Sequence, residues 1–360
     1  MFVADLHNDL IQRVMIGEDV SKITYHGHTD ITRLINSCID LEILIIWVSM
    51  IPKNSSAFTE ANLMYDKIEF LSLNNPLVDI PKSLSEIIEN KNNNILSLPI
   101  SIEGGEAIEN SIENLHHFID RGMLYFGPTW NHSLDWVSSG YDETYNPNKL
   151  KNLGLSDFGK EVIHTCNDND VIIDMSHIGE KSFWDIAAIS TKPFIASHSS
   201  VHKLFPHFRN LKDDQIIEIK KVGGMVGLNP YPFFIDPSFK KKEQEFIKEY
   251  KNDLDQINIK EPNKIAAWIL KQHHLQKLLK DIVPSLDIFI DHIEYVINLI
   301  GIDYVGIGSD YDGLDCLPRG WIDCMDHIKI AECLEKRGYN SLDIEKVMGK
   351  NFLRVLASHN

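Results

Sequence analysis

Eight short apolar runs rich in β-forming residues recur along this chain of 360 residues. Segments whose apolar residues have helical spacing lie between them, for example 60–73, 158–167, 182–189 and 213–221. Strands alternating with helices predict a parallel sheet, and a set of eight favours closure into a (β/α)8 barrel of the TIM type over an open doubly wound sheet. The eight runs are 2–7, 42–50, 95–103, 122–129, 171–177, 193–198, 224–229 and 304–310.

One segment departs from this alternation. Residues 239–284 are rich in Lys, Glu, Gln and Asn and carry apolar residues such as Trp268 and Leu275 at helical spacing. This pattern predicts a helical insertion after the seventh strand, inside a single domain that spans residues 1–360. Neighbouring residues on a helix point about 100° apart. We therefore expect the adjacent His273 and His274 to be surface histidines and not ligands of one metal.

The composition argues against several classes of partner. The formal net charge is −17, whereas binding to nucleic acids or anionic membranes needs a basic surface. No apolar stretch reaches the roughly 18 residues of a membrane span, and neither a secretion signal nor a lipid-anchor tail is recognisable. The five cysteines form no C-x-x-C pair, which is typical of reduced thiols in a cytosolic protein. We expect a cytoplasmic protein with a small-molecule substrate, no nucleic acid or membrane partner, and an insertion that serves as a lid or as the contact of a homodimer.

Residue types that bind metals stand at the ends of five of the predicted strands. The first run ends in His7, followed by Asp9, and the period-two alternation of a strand sends both side chains to the same side. In a parallel barrel all strands end on one face, where the loops form the active site. Each residue alone could be a core histidine or a helix cap, but their joint position favours a metal site. The other strand ends supply Glu103, His177, His198 and Asp310.

These residue types also indicate which metal is bound. Imidazole and carboxylate without thiolate suit zinc, with manganese, cobalt or iron as alternatives. Even five of these six residues are more ligands than one tetrahedral ion uses. A glutamate between two histidine-containing sets would bridge two ions about 3.5–4 Å apart, as in two-metal hydrolases. The pattern therefore predicts a dinuclear metal site.

Motifs along nearly the whole sequence resemble those of the membrane dipeptidase (renal dipeptidase) family of zinc metallopeptidases, which are amidohydrolase-like barrels. The motifs agree with the family in order and in spacing. The matching stretches are 5–9 (DLHND), 103–105 (EGG), 174–177 (DMSH), 197–200 (SHSS), 209–213 (RNLKD), 291–293 (DHI), 308–313 (GSDYDG) and 349–354 (GKNFLR).

The resemblance implies a role for each metal-binding candidate. His7 and Asp9 would bind one zinc ion, and His177 and His198 would bind the other. Glu103 would bridge the two ions. The implied cofactor is therefore a pair of Zn²⁺ ions.

The resemblance also implies the catalytic and substrate-binding residues. Asp310 would hold the bridging water and transfer its proton. Arg209 would pair with the terminal carboxylate of the substrate, which the planar guanidinium suits. Many family members have a Thr-His step after the fourth strand whose histidine contacts the substrate. Here Trp130 stands at that position. Either His132, two residues further on, makes this contact from a shifted loop, or other donors replace it.

Together these residues predict a metallo-dipeptidase that hydrolyses the amide bond of short peptides by means of a metal-bridging hydroxide. One alternative is another hydrolase on the same scaffold, acting on an N-acyl amino acid, a lactam or another amide, because loops and not metal ligands select the substrate. A second alternative is a barrel that has lost turnover and serves as a binding or accessory protein.

Overall fold

Parallel strands alternate with helices in the computed structural model, which describes residues 1–24, 26–48 and 54–359. Each of the eight predicted runs contains a strand, although residues 49 and 50 of the second run lie outside the described residues. The strands of the described residues are β1 (Ala4–Asn8), β2 (Leu41–Trp47), β3 (Val78–Asp79), β4 (Leu96–Ser97), β5 (Ile100–Glu103), β6 (Tyr125–Gly127), β7 (Ile172–Ile173), β8 (Ile195–Ser199), β9 (Met225–Leu228) and β10 (Val305–Ile307).

The α-helices of the described residues are α1 (Leu10–Met15), α2 (Ile31–Asn36), α3 (Ala57–Leu73), α4 (Leu84–Asn93), α5 (Ile112–Asp120), α6 (Gly140–Tyr145), α7 (Asp157–Asp168), α8 (Glu180–Ile189), α9 (Asp213–Lys221), α10 (Pro232–Ile235), α11 (Pro237–Glu249), α12 (Lys251–Lys260), α13 (Lys264–Leu279), α14 (Leu286–Ile300), α15 (Ile328–Lys336), α16 (Ser341–Glu345) and α17 (Asn351–Ala357). None of them has the length and apolarity needed to cross a lipid bilayer.

The strands pair in parallel in two sheets. One sheet has the order β1–β2–β5–β6–β7, and in it β4 also pairs with β2 and β3 pairs with β4. The other sheet has the order β8–β9–β10. Single parallel bridges join the sheets, one between Asp174 and Ile195 and one between Asn8 and Tyr311. The predicted parallel α/β fold is therefore confirmed, and its eight main strands follow one another in a ring. Strand pairing is not continuous around this ring in the described residues.

The third predicted run divides into two strands, β4 and β5. Pro99 lies between them and has no N–H group to donate to a ladder. Its carbonyl still accepts a hydrogen bond from the Leu44 amide of β2, at 3.0 Å, so both halves stay beside the same strand. The fifth run is shortened to β7, because the Asp174 carboxylate accepts the amides of Ser176 and Ser197 where a ladder would otherwise continue.

Serine caps and apolar faces explain where the outer helices form. The hydroxyls of Ser56, Ser111 and Ser156 accept the backbone amide three residues later at the starts of α3, α5 and α7. Such a cap typically stabilises a helix by about 1 kcal/mol. The apolar side of α7, which includes Val162 and Ile163, is fully buried, so the helices cover the outer face of the sheets.

The predicted helical insertion is present as α11, α12 and α13, between β9 and α14. The prediction for His273 was wrong: its side chain is buried, and its ring stacks on that of His26 with centroids 4.9 Å apart. The reason is that α13 packs back onto the loop after α1, where Gln276 contacts His28 at 3.0 Å. The assignment of the whole chain to one domain stays a prediction.

Candidate metal centre

The five predicted metal ligands meet at the carboxyl ends of the strands, and we call them the ligand cluster. The Oε1 atom of Glu103 lies 3.8 Å from His7 Nε2, 3.0 Å from His177 Nε2 and 3.4 Å from His198 Nε2. The Nε2 atoms of His177 and His198 are 3.1 Å apart. Asp9 also belongs to the cluster, and its Oδ2 atom lies 3.7 Å from His7 Nε2. All five side chains are buried.

The backbone positions these side chains in two ways. His7, Glu103 and His198 lie within β1, β5 and β8. His177 and Asp310 follow β7 and β10 in the left-handed region, with φ of +64° and +59°. This conformation is uncommon for residues other than glycine, and such residues cluster at functional sites. The Asp310 amide donates to the His7 carbonyl at 3.1 Å, which holds the two strand ends together.

A hydrogen bond to Tyr125 determines which nitrogen of His7 faces the cluster. His7 Nδ1 lies 2.9 Å from the Tyr125 hydroxyl, and that hydroxyl donates to the Leu6 carbonyl at 2.9 Å. A phenol has one proton, so His7 is the donor in the first contact. This hydrogen-bond network places the proton on Nδ1 and leaves a lone pair on Nε2.

The other two histidines are oriented in the same way. His198 Nδ1 lies 2.7 Å from the Ser197 hydroxyl, which donates its own proton to Asp174 at 2.6 Å. His177 Nδ1 lies 3.0 Å from the side-chain oxygen of Asn131. In both cases the imidazole donates from Nδ1, so all three Nε2 lone pairs point at the carboxylate of Glu103.

The electrostatics of the cluster fit a bound cation. Burial lowers the pKa of the three histidines well below 6.5, with nearby positive charge adding to the effect, so they are neutral. Burial, followed by the charges of Asp9 and Asp310, raises the pKa of Glu103 well above its usual value. Within the described residues, Nε2 of His7 and Oε1 of Glu103 are buried without a hydrogen-bond partner. A divalent metal would satisfy these atoms and balance the carboxylate charge.

Three groups of side chains in the described chain have ligand atoms within 4.8 Å of one another. Glu103 belongs to two of them, one with His7 and Asp9 and one with His177 and His198. The third group joins His7 and His198 to Asp310. A carboxylate shared by two histidine-containing groups is therefore placed where it could bind a metal ion together with either group.

Arg209 and Asp310 border the ligand cluster. Arg209 is almost fully buried, donates to the His198 carbonyl at 3.1 Å, and lies over the Phe234 ring at 5.4 Å. One oxygen of Asp310 accepts the Asn229 side-chain amide at 3.0 Å. Burial raises the pKa of Asp310 to about 6, against the opposing effect of this hydrogen bond.

A cleft of about 290 Å³ opens above the cluster. This volume lies at the lower end for small-molecule sites. The cleft is lined by Asp9, Trp47, Glu103, Trp130, Asn131, His177, His198, Arg209, Tyr231, Phe234, Trp268, Asp310 and Gly313.

His132 is not among the residues that line this cleft, and its role as a substrate contact stays a prediction. Its side chain is exposed, and its ring packs edge-on against Trp130 with centroids 5.5 Å apart. The reason is the path of the loop after β6, which directs Asn131 toward His177 and His132 toward solvent. Trp130 itself lines the cleft.

Sequence reasoning missed the residues that orient the histidines. Tyr125 lies within an apolar run and contacts His7 from 118 positions away, so no local signal marks it. Asn131 is likewise unmarked. The signals available were the positions of Ser197, beside His198, and of Asp174, three residues before His177 in a motif shared with the family.

The comparisons with known proteins agree with this geometry. A profile of the family described as "Membrane dipeptidase (Peptidase family M19)" matches residues 1–360. A dipeptidase of Claviceps purpurea, tcpJ, is 24% identical over 341 residues, which are 92% of this chain and 69% of that protein.

Two solved structures share the fold over the whole chain. The probable dipeptidase PvdM from Pseudomonas aeruginosa has a TM-score of 0.81 at 23% identity, covering 100% of this chain and 95% of the other. A metallopeptidase from Rhodobacter sphaeroides, liganded with a phosphinate mimic of the dipeptide L-Ala-D-Ala, has a TM-score of 0.79 at 21% identity, covering 100% and 99%. The match of the family profile to the full length shows that this chain belongs to the membrane dipeptidase family M19, whose members are metallopeptidases that hydrolyse the peptide bond of dipeptides.

Proposed function

We propose that this protein is a dinuclear zinc dipeptidase that hydrolyses dipeptides bound through their free carboxylate. The observation that carries the proposal is the arrangement around Glu103. Its Oε1 atom is surrounded by three imidazole Nε2 atoms at 3.0–3.8 Å, and within the described residues it has no hydrogen-bond partner. A buried carboxylate among unprotonated imidazoles is costly unless cations balance its charge, and bound metal ions would do so.

The two ions would divide the ligand cluster between them. His7 and Asp9 would hold one ion, His177 and His198 would hold the other, and Glu103 would bind both. When bound, the ions would lower the pKa of a shared water into the neutral range and polarise the scissile carbonyl. Zinc suits this imidazole and carboxylate set, and manganese, cobalt or iron could replace it.

Asp310 would move the proton in the reaction. Asn229 holds one carboxylate oxygen of Asp310 at 3.0 Å, which leaves the other oxygen, Oδ1, for the attacking water. We infer that Oδ1 takes the proton of this water and then delivers it to the leaving amine. The proximity of Asp310 to His7 and His198 supports this role.

Arg209 would bind the substrate carboxylate. Its guanidinium is buried beside the cluster, and its Nε has no hydrogen-bond partner in the described part of the chain. A buried guanidinium with free donors forms strong charge-assisted bonds to a carboxylate. Because Arg209 borders the cluster, it would hold that carboxylate close to the scissile bond, which favours a dipeptide over a longer peptide.

Metal analysis combined with a substrate panel tests the proposal. We expect close to two zinc ions per chain after purification, loss of dipeptide hydrolysis on removal of metal by a chelator, and recovery when zinc is returned. N-acetylated amino acids and lactams provide the comparison with other amide hydrolases. Full hydrolysis by metal-free protein, or hydrolysis of acylated amino acids in preference to every dipeptide, would contradict the proposal. The cytoplasmic location and the homodimer stay predictions from the sequence.

A further inference from the structure

Three tryptophans form one wall of the cleft above the ligand cluster. Trp47 is the last residue of β2, Trp130 lies in the loop after β6, and Trp268 is on α13 of the insertion. The ring centroids of Trp47 and Trp130 are 4.8 Å apart in an edge-on arrangement, and those of Trp47 and Trp268 are 5.8 Å apart. The three indoles therefore make one continuous aromatic surface.

This surface adjoins the ligand cluster directly. Trp47 is the register partner of Glu103 in the β2–β5 pairing, and the Trp130 ring lies 6.2 Å from that of His177. Arg209, in contrast, follows β8, which is four strands from β2 in the ring of eight. Trp47, which contacts both of the other tryptophans, thus ends a strand on the opposite side of the ring from the strand that Arg209 follows.

This separation orients a dipeptide in the cleft. A substrate whose carboxylate pairs with Arg209 has its C-terminal residue beside Arg209 and Phe234, which are 5.4 Å apart. Its scissile amide then lies over the ligand cluster. The N-terminal residue would extend toward the far side of the cluster, where its side chain would meet Trp47 and the two tryptophans packed against it.

The lining of the cleft favours an apolar side chain at that position. Among the described lining residues, the carboxylates are Asp9, Glu103 and Asp310, all at the cluster, and the cation is Arg209. A charged N-terminal side chain would therefore be buried without an ion-pair partner, which is costly. Aromatic pairs gain from edge-on and offset contacts in addition to the area that they bury.

We propose that the preferred substrates are dipeptides with an aromatic N-terminal side chain, held against Trp47, Trp130 and Trp268. The inference rests on the proposed dipeptidase function and adds its substrate class. It also gives the insertion a function, because α13 supplies Trp268 and completes the aromatic wall.

Steady-state kinetics on matched dipeptides tests this inference. Burial of a phenylalanine side chain gives an expected kcat/KM about 10- to 100-fold higher for Phe-Ala than for Ala-Ala. Ala-Phe has the aromatic side chain on the C-terminal residue, and Lys-Ala has a charged side chain on the N-terminal residue. Both should have a lower kcat/KM than Phe-Ala. In Trp268→Ala the ratio of kcat/KM for Phe-Ala to kcat/KM for Ala-Ala should fall by about tenfold.

Trp184→Ala is the matched control. Trp184 is a partly buried tryptophan on α8 that packs on Phe183 at 5.1 Å and does not line the cleft. This variant should keep the wild-type ratio. Metal content and thermal unfolding are measured for all variants, so that a loss of metal or of folded protein is recognised.

Calorimetric binding of phosphinate analogues of Phe-Ala and Ala-Ala gives a readout that does not require turnover. The inference is overturned if Ala-Ala or Lys-Ala is the better substrate, or if Trp268→Ala changes the ratio no more than Trp184→Ala does. If metal-loaded protein hydrolyses none of the dipeptides, the proposed function fails instead. The relative affinities of the two analogues then still decide whether the aromatic surface favours an aromatic N-terminal side chain.

Discussion

Replacing Tyr125 by phenylalanine tests how the protein orients a metal-binding histidine. The Tyr125 hydroxyl is buried, accepts the Nδ1 proton of His7 at 2.9 Å and donates to the Leu6 carbonyl at 2.9 Å. Phenylalanine keeps the ring in place and removes both hydrogen bonds. His7 then has no acceptor for its Nδ1 proton and can move that proton to Nε2, the atom that faces Glu103.

The size of the effect follows from these two bonds. Loss of the partner that orients a metal-binding histidine typically weakens metal affinity by about 10- to 100-fold, which corresponds to roughly 1.4–2.7 kcal/mol. In the metal-free protein, the unpaired Nδ1 donor of His7 and the unpaired Leu6 carbonyl each cost on the order of 1–3 kcal/mol. We therefore expect Tyr125→Phe to weaken metal binding and to lower the free energy of unfolding by about 2–6 kcal/mol, the sum of the two costs.

Metal affinity is measured by competition with a chromogenic chelator, and stability by urea unfolding of the metal-free protein. Tyr65→Phe is the matched control, because Tyr65 is also buried but its hydroxyl has no hydrogen-bond partner in the described residues. This control should leave both quantities close to wild type. If Tyr125→Phe binds metal as tightly as Tyr65→Phe, the assigned tautomer of His7 is wrong.

Three further substitutions have defined outcomes. Asp310→Asn should leave metal content nearly intact and lower kcat by about 10²–10⁴-fold, because proton transfer is lost; full turnover at full metal occupancy would remove Asp310 from this role. Arg209→Ala should raise KM for dipeptides by roughly 10- to 100-fold and affect dipeptide amides much less; an equal loss on both substrates would argue against carboxylate binding. Burial lowers the pKa of His292 to about 4, and its Nδ1 accepts the Val201 amide at 3.2 Å. In the unfolded chain this histidine takes up a proton near pH 6.5, whereas in the folded protein it stays neutral down to about pH 4. Protonation therefore favours the unfolded chain, and the protein loses stability as the pH falls from about 6.5 to 4. Between pH 7 and 4.5 the free energy of unfolding should therefore fall by about 2 kcal/mol less in His292→Gln than in wild type, as measured by urea unfolding at both pH values. An identical decrease in the two proteins would contradict the reasoning.

Some parts of the fold followed from local pattern and others did not. The runs that became β1, β8 and β9 were recognisable because they are apolar and short, and the start of α9 was found at Asp213. The division of the third run at Pro99 was missed, because an apolar run does not show where a ladder loses a donor. The burial of His273 was missed, because helical periodicity within a segment does not show which other element covers it.

The candidate site shows the same division. The sequence alone determined which residue types stand at the strand ends, and parallel strands end on one face, so the meeting of His7, Glu103, His177 and His198 was foreseeable. The tertiary structure decided which nitrogen of each histidine is free, since partners such as Tyr125 are far away in the chain. It also decided the loop paths that turn His132 to solvent and bring Trp268 to the cleft. Ligand identity is a local property of the chain, whereas orientation and enclosure depend on contacts that exist only after distant segments have packed together.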